Sequence, residues 1–310
     1  MNPLYINESE VNELADMGVA IAALRTAFAE QAEGGATNSP RTRARYWGSR
    51  LNMMSAGLKS GRFGFKAYAG TNAPTVYHVM LYDANDGLLA IIEARRLSRL
   101  RTGAATGLAT DILAKPESIK LAMIGAGDQA RTQLAAVAAV RELAEISVFA
   151  RNRDNLRAFC DDVSTVTGFS LLPAASAEDC IAQADVIITA TDSETPVVLD
   201  AWLPDNVHVN TVGANAAIRM ELEPASFARA RIVATDDIAQ AKIEAGEIIA
   251  GVASGTLKWQ AVLQLSDLIS TPPRSGGLTI FKSLGAALED IALASAIYDR
   301  AIAQGRGRWL

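Results

Sequence analysis

Short strand-like runs of apolar and polar residues follow one another between residues 43 and 92. Turn signals separate these runs, the clearest being Asp83-Ala-Asn-Asp-Gly87. Alternation of this kind predicts strands, here over residues 43–47, 51–54, 64–68, 76–82 and 88–92. Because no helical pattern lies between the strands, we expect a mainly antiparallel sheet.

Helical spacing of apolar residues precedes this region, follows it directly and returns at the end of the chain. Ser9 is the predicted N-terminal cap of a first helix, whose apolar positions run from Val11 to Phe28. A helix over residues 97–113 is rich in glycine and alanine, which allows close packing against a neighbour. The last predicted helix covers residues 285–304 and has the apolar spacing of a segment that packs on a core.

From residue 119 onward, short apolar runs alternate with helical segments. The apolar runs predict strands over residues 119–124, 146–150, 186–190, 208–212 and 232–235. The intervening segments predict helices over residues 130–139, 154–163 and 177–184. Apolar strands that alternate with helices are typical of a parallel sheet covered by helices on both faces, so this half of the chain is expected to be an α/β domain.

The composition limits the functions that such a chain can carry. Its 310 residues suffice for about two domains, and its net charge of −5 does not suit a nucleic-acid binder. No apolar stretch approaches the roughly 18 residues of a membrane helix, and the N-terminus lacks the pattern of a signal peptide. Cys160, Cys180, His78 and His208 form no metal-ligand motif, so we expect a cytoplasmic protein without a metal site.

A dinucleotide-binding fingerprint lies between the first strand and the first helix of the α/β region. The segment Gly125-Ala-Gly127-Asp128-Gln129-Ala130 has the GxGxxA pattern. In this pattern the first glycine makes a tight turn, the second lets the backbone approach a pyrophosphate, and the small third residue lets helix and strand pack closely. The pyrophosphate then lies at the helix N-terminus. The sequence therefore predicts a Rossmann domain that binds a nicotinamide dinucleotide.

The choice between NAD and NADP depends on the end of the second strand of this domain. An NAD site usually carries Asp or Glu there, where it binds the ribose 2′-hydroxyl. Here the strand runs into Arg151-Asn152-Arg153, with no acidic residue at its tip. Guanidinium groups suit a 2′-phosphate. NADP(H) is therefore the favoured cofactor, with NAD(H) as the alternative.

Three cations of the first region are candidates for binding a small carboxylic acid. Arg41, Lys66 and Arg101 each lie away from obviously charged helix faces. Arginine and lysine are the usual partners of a substrate carboxylate, although a single surface cation is more often only solvated. Their position in a recognisable set of motifs strengthens them as candidates.

Six segments resemble, in the same order, the motifs of the ornithine cyclodeaminase/μ-crystallin family. The likeness covers nearly the whole chain, and the six motifs together are far more specific than any one alone. The segments are Pro40-Arg41-Thr42, Asn52-Met-Met-Ser-Ala56, Gly64-Phe-Lys66, Arg101-Thr-Gly-Ala-Ala, Met123-Ile-Gly-Ala-Gly-Asp-Gln-Ala130 and Thr279-Ile-Phe-Lys-Ser-Leu-Gly285.

The resemblance implies an α/β fold with two domains. A Rossmann domain is expected over residues 115–285, and an α+β domain for substrate binding and dimerisation over residues 1–114 and 286–310. The resemblance also implies a homodimer, in which the N-terminal sheets of two chains pair across a two-fold axis. The final helix is expected to pack back onto the N-terminal domain.

The same resemblance assigns roles to individual residues. It implies that Arg41, Lys66 and Arg101 hold the substrate carboxylate, and that Lys66 and Arg101 also take part in catalysis. The residues expected to contact the cofactor are Thr102, Gly125, Gly127, Asp128, Gln129, Ala130, Arg151, Asn152, Arg153, Thr191, Val212, Lys282 and Ser283.

One position departs from the cyclodeaminase pattern. Cyclodeaminases carry an Asp after the fourth Rossmann strand, where it serves as acid and base on the departing amino group, and this chain has Asn215 there. An amide cannot take up and return a proton as a carboxylate does. Asn215 is therefore expected to hydrogen-bond near the substrate nitrogen, or alternatively to cap the backbone of its turn.

The chain is thus expected to be an NAD(P)H-dependent reductase of small, cyclic ketimine or imino carboxylic acids, giving L-amino acids. Δ1-Pyrroline-2-carboxylate and Δ1-piperideine-2-carboxylate are the example substrates. Three alternatives stay open: an ornithine cyclodeaminase that forms proline and ammonia, an amino-acid dehydrogenase of the alanine type, and a crystallin-like NADP-binding protein without turnover. Nucleic acids and membranes are not expected partners.

Overall fold

The computed structural model describes residues 2–274 and 276–310 and divides into two compact units. The first unit comprises Met1–Ala105 and Gly285–Leu310, and the second comprises Thr106–Leu284. The first change of unit falls inside the helix Arg95–Leu113. The domain ranges proposed from the sequence, 1–114 with 286–310 and 115–285, stay a prediction.

The first unit is built on a mixed sheet. Its elements are β1 (Leu4–Ile6), α1 (Glu8–Leu14), α2 (Met17–Ala32), β2 (Thr37–Asn38), β3 (Thr42–Tyr46), β4 (Ser49–Gly57), β5 (Arg62–Gly70), β6 (Tyr77–Asp83), β7 (Gly87–Glu93) and the beginning of α3 (Arg95–Leu113). After the second unit, α10 (Ala287–Gln304) and β16 (Arg308–Trp309) complete it.

The strand order of this sheet is β16-β1-β7-β6-β5-β4-β2, and β3 pairs with β4 outside that path. The predicted antiparallel arrangement is confirmed for β2 to β7, whereas β1 and β7 run parallel. Alternate residues of a strand face opposite sides of a sheet. Met54 and Lys66, which are paired across β4 and β5, lie on the buried side, and α10 packs on these strands.

Two details of the N-terminal region differ from the sequence-based expectation. The first helix is capped by Asn7, not Ser9, through a capping box with Glu10. The predicted long helix is also two helices, because the chain leaves helical geometry at Ala15 and Asp16 then caps α2 by accepting from the Val19 amide. Capping boxes and N-caps satisfy backbone donors that a helix leaves unpaired.

The second unit is a parallel sheet with helices. Its strands are β8 (Lys120–Ile124), β9 (Glu145–Phe149), β10 (Leu171–Pro173), β11 (Val186–Thr189), β12 (His208–Thr211), β13 (Ile232–Thr235), β14 (Val262–Gln264) and β15 (Thr279–Lys282). Its helices, besides the end of α3, are α4 (Asp128–Ala138), α5 (Arg153–Thr167), α6 (Ala177–Ile181), α7 (Ile238–Glu244), α8 (Gly246–Ser254) and α9 (Leu265–Ser270). Short 3₁₀ turns cover Asp200–Trp202, Pro224–Ala228 and Trp259–Ala261.

The strand order of the second sheet is β10-β9-β8-β11-β12-β15-β13-β14, with all pairs parallel. Successive residues of β8 contribute to two different hydrophobic clusters: Leu121 and Met123 to one, Ala122 and Ile124 to the other. The sheet is therefore buried on both faces, as parallel sheets require. The predicted α/β fold with a Rossmann-type domain is confirmed.

The central strand β15 was not predicted from the sequence. It lies between β12 and β13, and every one of its residues is buried. In the described part of the chain, no helix is long and apolar enough to cross a membrane.

Candidate functional site

The predicted dinucleotide fingerprint forms a sharp turn between β8 and α4. Gly125 has a φ of +115°, and a Cβ there would lie 2.4 Å from the carbonyl oxygen of Ala190. Only glycine fits this conformation and this close approach. Ala130 is completely buried against the strands, as its small side chain predicts.

Gly127 has a different reason to be glycine. Its φ is −95°, which any residue adopts, and a Cβ there would meet no heavy atom within 4 Å. The space in front of it lies at the N-terminus of α4, where no side chain caps the helix. Free amide groups and the helix dipole favour a negative group at such a place. The turn, with Asp128 and Gln129 in the first turn of the helix, fits the pyrophosphate of a dinucleotide.

The three residues after β9 have separate environments. Asn152 caps α5, because its side chain accepts hydrogen bonds from the amides of Asp154 and Asn155 at 3.0 and 2.9 Å. Arg153 donates to the carbonyls of Ala174 and Ala175 at 2.7 and 2.5 Å. Its guanidinium also lies 5.6 Å from the centroid of the Phe149 ring.

Arg151, by contrast, is exposed in the loop before α5. Within the described residues it has no hydrogen bond or ion pair that would hold its guanidinium in place. Of the two arginines predicted to contact the cofactor, Arg151 is therefore the one whose donors are available to a phosphate.

A buried carboxylate links the ends of β11 and β12. Glu221 Oε1 accepts from the Thr191 amide at 2.6 Å and from its hydroxyl at 2.8 Å, and Oε2 accepts from the Gly213 amide at 2.7 Å. Burial raises the pKa of the Glu221 carboxyl, while Lys282 opposes that shift. The carboxyl ends of parallel strands are where α/β proteins bind ligands. Thr191 was predicted to contact the cofactor, but Glu221 was not singled out.

The other predicted residues of the second unit lie near these strand ends. Val212 directly follows β12 and packs on a hydrophobic cluster, and Asn215 lies exposed in the following loop. Lys282 ends β15, and its ammonium forms a buried ion pair with Glu247 at 2.9 Å. Ser283 donates to Asp236 at 3.4 Å. The cofactor contacts assigned to these residues stay predictions.

Within the first unit, the structure brings the three candidate cations together. Arg41, Lys66 and Arg101 are all buried, with exposures of 5, 1 and 5%. Lys66 Nζ lies 2.7 Å from Asp290 Oδ1, and Arg101 Nε lies 2.9 Å from the same oxygen. Arg101 Nη1 also lies 2.9 Å from Glu289 Oε2.

Different elements supply these groups. Lys66 comes from β5, where it is paired with Met54 of β4 and Val79 of β6. Arg101 comes from α3, and Glu289 and Asp290 come from the first turn of α10. Arg41 precedes β3 and donates to the Gly285 carbonyl at 3.1 Å and the Met54 sulfur at 3.3 Å. Thr102, one residue after Arg101, donates to the Ser98 carbonyl at 2.8 Å.

Burial and mutual repulsion govern the electrostatics of this cluster. Burial, followed by the nearby Arg101 charge, lowers the pKa of Lys66 to about 7, although Asp290 opposes the shift. Three cations and two carboxylates, those of Glu289 and Asp290, share one buried cluster. Buried charges require partners, and a cluster with three cations suits an anionic ligand.

A comparison with sequence profiles of known families shows which family this chain belongs to. The profile of the Ornithine cyclodeaminase/mu-crystallin family matches residues 1–305. The chain belongs to this family.

Two curated relatives illustrate the range of activities in this family. An alanine dehydrogenase of Archaeoglobus fulgidus is 31% identical over 99% of this chain and 98% of its own length. A Delta(1)-pyrroline-2-carboxylate reductase of Bacillus cereus is 33% identical over 74% of this chain and 72% of its own length. This family member is accordingly an NAD(P)-dependent oxidoreductase that acts on C=N or CH–NH groups.

A solved structure agrees with this assignment. The Delta(1)-pyrroline-2-carboxylate reductase of Thermococcus litoralis, in complex with NADH and L-proline, superimposes with a TM-score of 0.93 at 28% identity, covering 99% of this chain and 100% of that one. The likeness therefore extends over both units, each with its own fold.

The sequence analysis missed the two acidic residues of the cation cluster. Glu289 and Asp290 lie in a helix that was predicted only to pack on a core, and both are completely buried. Two adjacent acidic residues on the apolar side of such a helix are unusual, because buried acids need partners. That pair was the available signal, and it matched the buried cations Lys66 and Arg101.

Proposed function

We propose that the chain reduces small, cyclic imino carboxylic acids with NAD(P)H and forms L-amino acids. Δ1-Pyrroline-2-carboxylate and Δ1-piperideine-2-carboxylate are the proposed substrates. The observation that carries this proposal is the buried cluster of three cations, Arg41, Lys66 and Arg101.

The cations of the cluster suit a substrate carboxylate. A bound carboxylate would add a negative charge beside these buried cations, which need such partners. Arg101 and Arg41 offer planar guanidinium groups, whose geometry matches a carboxylate, and Lys66 adds a compact charge.

The residue types proposed to act on the substrate nitrogen favour reduction over deamination. Cyclodeamination needs a group that takes up and returns a proton, and Asn215 cannot do so. Reduction needs the imine to be protonated and held in position. Lys66 and Arg101 would orient the carboxylate and the imine, and Asn215 would hydrogen-bond near the ring nitrogen. The bound dinucleotide supplies the hydride.

NADP(H) is the proposed cofactor, with NAD(H) as the alternative. The end of β9 carries no acidic residue for a ribose 2′-hydroxyl, and the exposed Arg151 is available to a 2′-phosphate. Three similar structures, among them the reductase of Thermococcus litoralis, are described with NADH, NAD or NAD+.

We propose that the chain forms a homodimer through the sheet of the first unit. Phe63 and Tyr82 stack with their ring centroids 5.5 Å apart on the side of the sheet opposite to Lys66, and Leu51, Met53 and Phe63 are 43, 40 and 46% exposed. An apolar sheet face of this kind is typical of an interface. A similar archaeal alanine dehydrogenase is described as a dimer with bound NAD.

An alanine-type dehydrogenase is the second candidate function. It is favoured by the relative from Archaeoglobus fulgidus, whose likeness covers nearly the full length of both chains. Pyruvate also carries one carboxylate, so the charge of the cluster does not distinguish it from a cyclic imine. The two candidates differ in the source of nitrogen, which is free ammonium for the dehydrogenase.

Four assays separate the candidates. Oxidation of NADPH and NADH is followed with each cyclic imine and with pyruvate plus ammonium, and ammonia release is followed with ornithine and NAD. Fast turnover of a cyclic imine without added ammonium is expected. Turnover only with pyruvate and ammonium would show an alanine dehydrogenase. Release of ammonia from ornithine would show a cyclodeaminase. The absence of activity in all four assays would overturn the proposal.

A pair of variants tests the carboxylate site. Arg41→Ala removes a buried guanidinium of the cluster, and we expect kcat/KM for the imine to fall by about 100-fold, from the lost charged hydrogen bonds. Arg45→Ala removes an exposed arginine of β3 and serves as the control. Equal activity of the two variants would contradict the assignment.

A further inference from the structure

One oxygen of Asp290 is shared by two cations. Oδ1 lies 2.7 Å from Lys66 Nζ and 2.9 Å from Arg101 Nε, and all three side chains are buried. The other oxygen, Oδ2, is also buried and has no hydrogen-bond partner among the described residues. Asp290 therefore contacts both cations through a single oxygen atom.

We propose that Asp290 is a positioning residue of the substrate site, which fixes the Lys66 ammonium beside the Arg101 guanidinium and retains its proton, so that the Lys66–Asp290 pair sets the upper pH limit of the reaction. This inference rests on the proposed function and deepens it. Asp290 acts through Lys66 and is not assigned a contact with the substrate.

The surroundings of Lys66 explain why such a residue is needed. Its neighbours in the sheet, Met54 on β4 and Val79 on β6, are apolar. Two positive groups face it, Arg101 from α3 and Arg41 from the segment before β3, and both disfavour its protonated form, as does burial.

The Tyr68 ring and the Asp290 carboxylate favour the ammonium. The Tyr68 ring of β5 lies 5.7 Å from the Lys66 nitrogen, a distance at which an aromatic face attracts a cation. Asp290 contributes both a full negative charge and a direct hydrogen bond. Glu289, the next acid of α10, is hydrogen-bonded to Arg101 Nη1, on the other side of that guanidinium. Asp290 is therefore the acid that contacts Lys66 directly.

The direction of the pH effect follows from these contacts. The pKa of Lys66 is lowered to about 7, so the ammonium is lost as the pH rises through that value. Loss of the ammonium removes a cation from the carboxylate site, and kcat/KM is expected to fall on the alkaline side. Removal of the Asp290 charge lowers the pKa of Lys66 further, and the fall then begins at a lower pH.

The first test compares two nearly identical substitutions. Asp290→Asn and Glu289→Gln each remove one buried carboxylate charge from the same turn of α10. We expect Asp290→Asn to move the alkaline limb of kcat/KM down by about one pH unit or more, from the loss of a charge in direct contact. Glu289→Gln is expected to reduce activity through Arg101 but to leave the limb near its original pH. An equal shift in both variants, or none in Asp290→Asn, would overturn the inference.

The second test does not depend on Asp290→Asn folding. Lys66→Arg keeps a positive charge at all accessible pH values, since a guanidinium does not titrate in proteins. The alkaline limb of kcat/KM assigned to Lys66 should therefore disappear, even if the overall rate is lower. A limb that persists unchanged in Lys66→Arg would show that another group sets it.

A third measurement separates this inference from the proposed function. Lysine labelled with ¹³C at Cε gives a signal whose position reports the charge of each amine, and the Lys66 signal is the one missing in Lys66→Arg. A Lys66 titration near neutral pH that moves lower in Asp290→Asn would support the inference even if no imine were reduced. A Lys66 titration that does not move would overturn it even if the imines were good substrates.

Discussion

Glu221 and Thr191 are joined by two hydrogen bonds to the same carboxylate oxygen, one from the Thr191 amide and one from its hydroxyl. The second oxygen of Glu221 accepts from the Gly213 amide. One buried side chain thus holds the backbone at the ends of both β11 and β12. Because these strand ends lie on the ligand-binding edge of an α/β sheet, Glu221 orders part of the proposed cofactor site.

Glu221→Gln should weaken cofactor binding as well as stability. The amide that replaces the carboxylate would place its own donors against either the Thr191 or the Gly213 donors, which leaves buried groups unpaired. We expect the free energy of unfolding to fall by about 1–3 kcal/mol and the Kd for NADH and NADPH to rise by about tenfold. Denaturant unfolding and fluorescence titration measure the two effects.

Glu223→Gln is the matched control for that substitution. Glu223 is partly buried in the same loop, and its carboxylate accepts from the Asp200 amide at 2.8 Å, away from Thr191 and Gly213. The control is expected to lose some stability without a change in cofactor affinity. Equal losses of affinity in both variants would contradict a specific role of Glu221.

The two fingerprint glycines should respond differently to alanine. The methyl group added by Gly127→Ala contacts no atom of the folded chain, so the free energy of unfolding should change by no more than about 1 kcal/mol. The affinity for NADH should fall at least about tenfold, because the methyl group fills the space of the pyrophosphate. Gly125→Ala forces a positive φ and a clash with Ala190, and it should destabilise the fold by more than about 2 kcal/mol. Unchanged NADH binding by Gly127→Ala would argue against a dinucleotide at this turn.

Arg151 should influence the choice between the two dinucleotides. Arg151→Ala removes an exposed guanidinium that is available to a 2′-phosphate, and we expect the KM for NADPH to rise by about fivefold to tenfold, from the loss of one exposed charged contact. The KM for NADH should stay the same. Steady-state kinetics with both cofactors measure the ratio directly.

Arg153→Ala is the comparison for that prediction. The Arg153 guanidinium donates to the carbonyls of Ala174 and Ala175, so its removal should lower thermal stability more than it changes the ratio of the two KM values. If Arg153→Ala rather than Arg151→Ala reduced the preference for NADPH, the assignment of the two arginines would have to be reversed.

The sequence predicted the parts of the fold that repeat a regular pattern. The alternating β4 to β7 region and the strand–turn–helix around Gly125 were both anticipated, because periodicity and a glycine-rich turn are local signals. The short strands β1, β2 and β16, of two or three residues, are too short to show a period. The strand β15 ends in a buried lysine, Lys282, whose partner Glu247 lies far away in the sequence.

The candidate site was predictable to the same degree. The cations Arg41, Lys66 and Arg101 could be named from their motifs, but their acidic partners could not be paired with them. Asp290 lies 224 positions after Lys66, and only the folded chain brings the two charges together. The same holds for Glu221, whose three donors come from two different loops. Contacts between charged residues far apart in the sequence leave no local pattern, so the periodicity of the sequence cannot predict them.

His208 offers a test of the interior of the second unit that is independent of function. The residue is 1% exposed, and its Nε2 lies 3.2 Å from Asn210 Oδ1, while Nδ1 lies 2.9 Å from Thr279 Oγ1. A carbonyl oxygen can only accept, so Nε2 carries the proton and Nδ1 accepts from the hydroxyl. The ring is therefore neutral, and burial lowers the pKa of His208 to about 3.

This histidine should make the protein sensitive to acid. The ordinary pKa of the side chain is 6.5, so below that pH the histidine is protonated in the unfolded chain but stays neutral in the folded chain. The free energy of unfolding therefore falls as the pH decreases toward about 3. Between about pH 7 and pH 4 this loss of stability amounts to about 3 kcal/mol.

His208→Gln removes the titrating group, and we expect a correspondingly smaller loss of stability between about pH 7 and pH 4. Stability at neutral pH is lower in this variant because the hydrogen bonds are altered. Urea unfolding at the two pH values measures the difference, and His78→Gln, at the half-buried histidine of β6, is the control. If His208→Gln lost as much stability between the two pH values as the unmodified chain, the buried neutral histidine would not be a source of acid sensitivity.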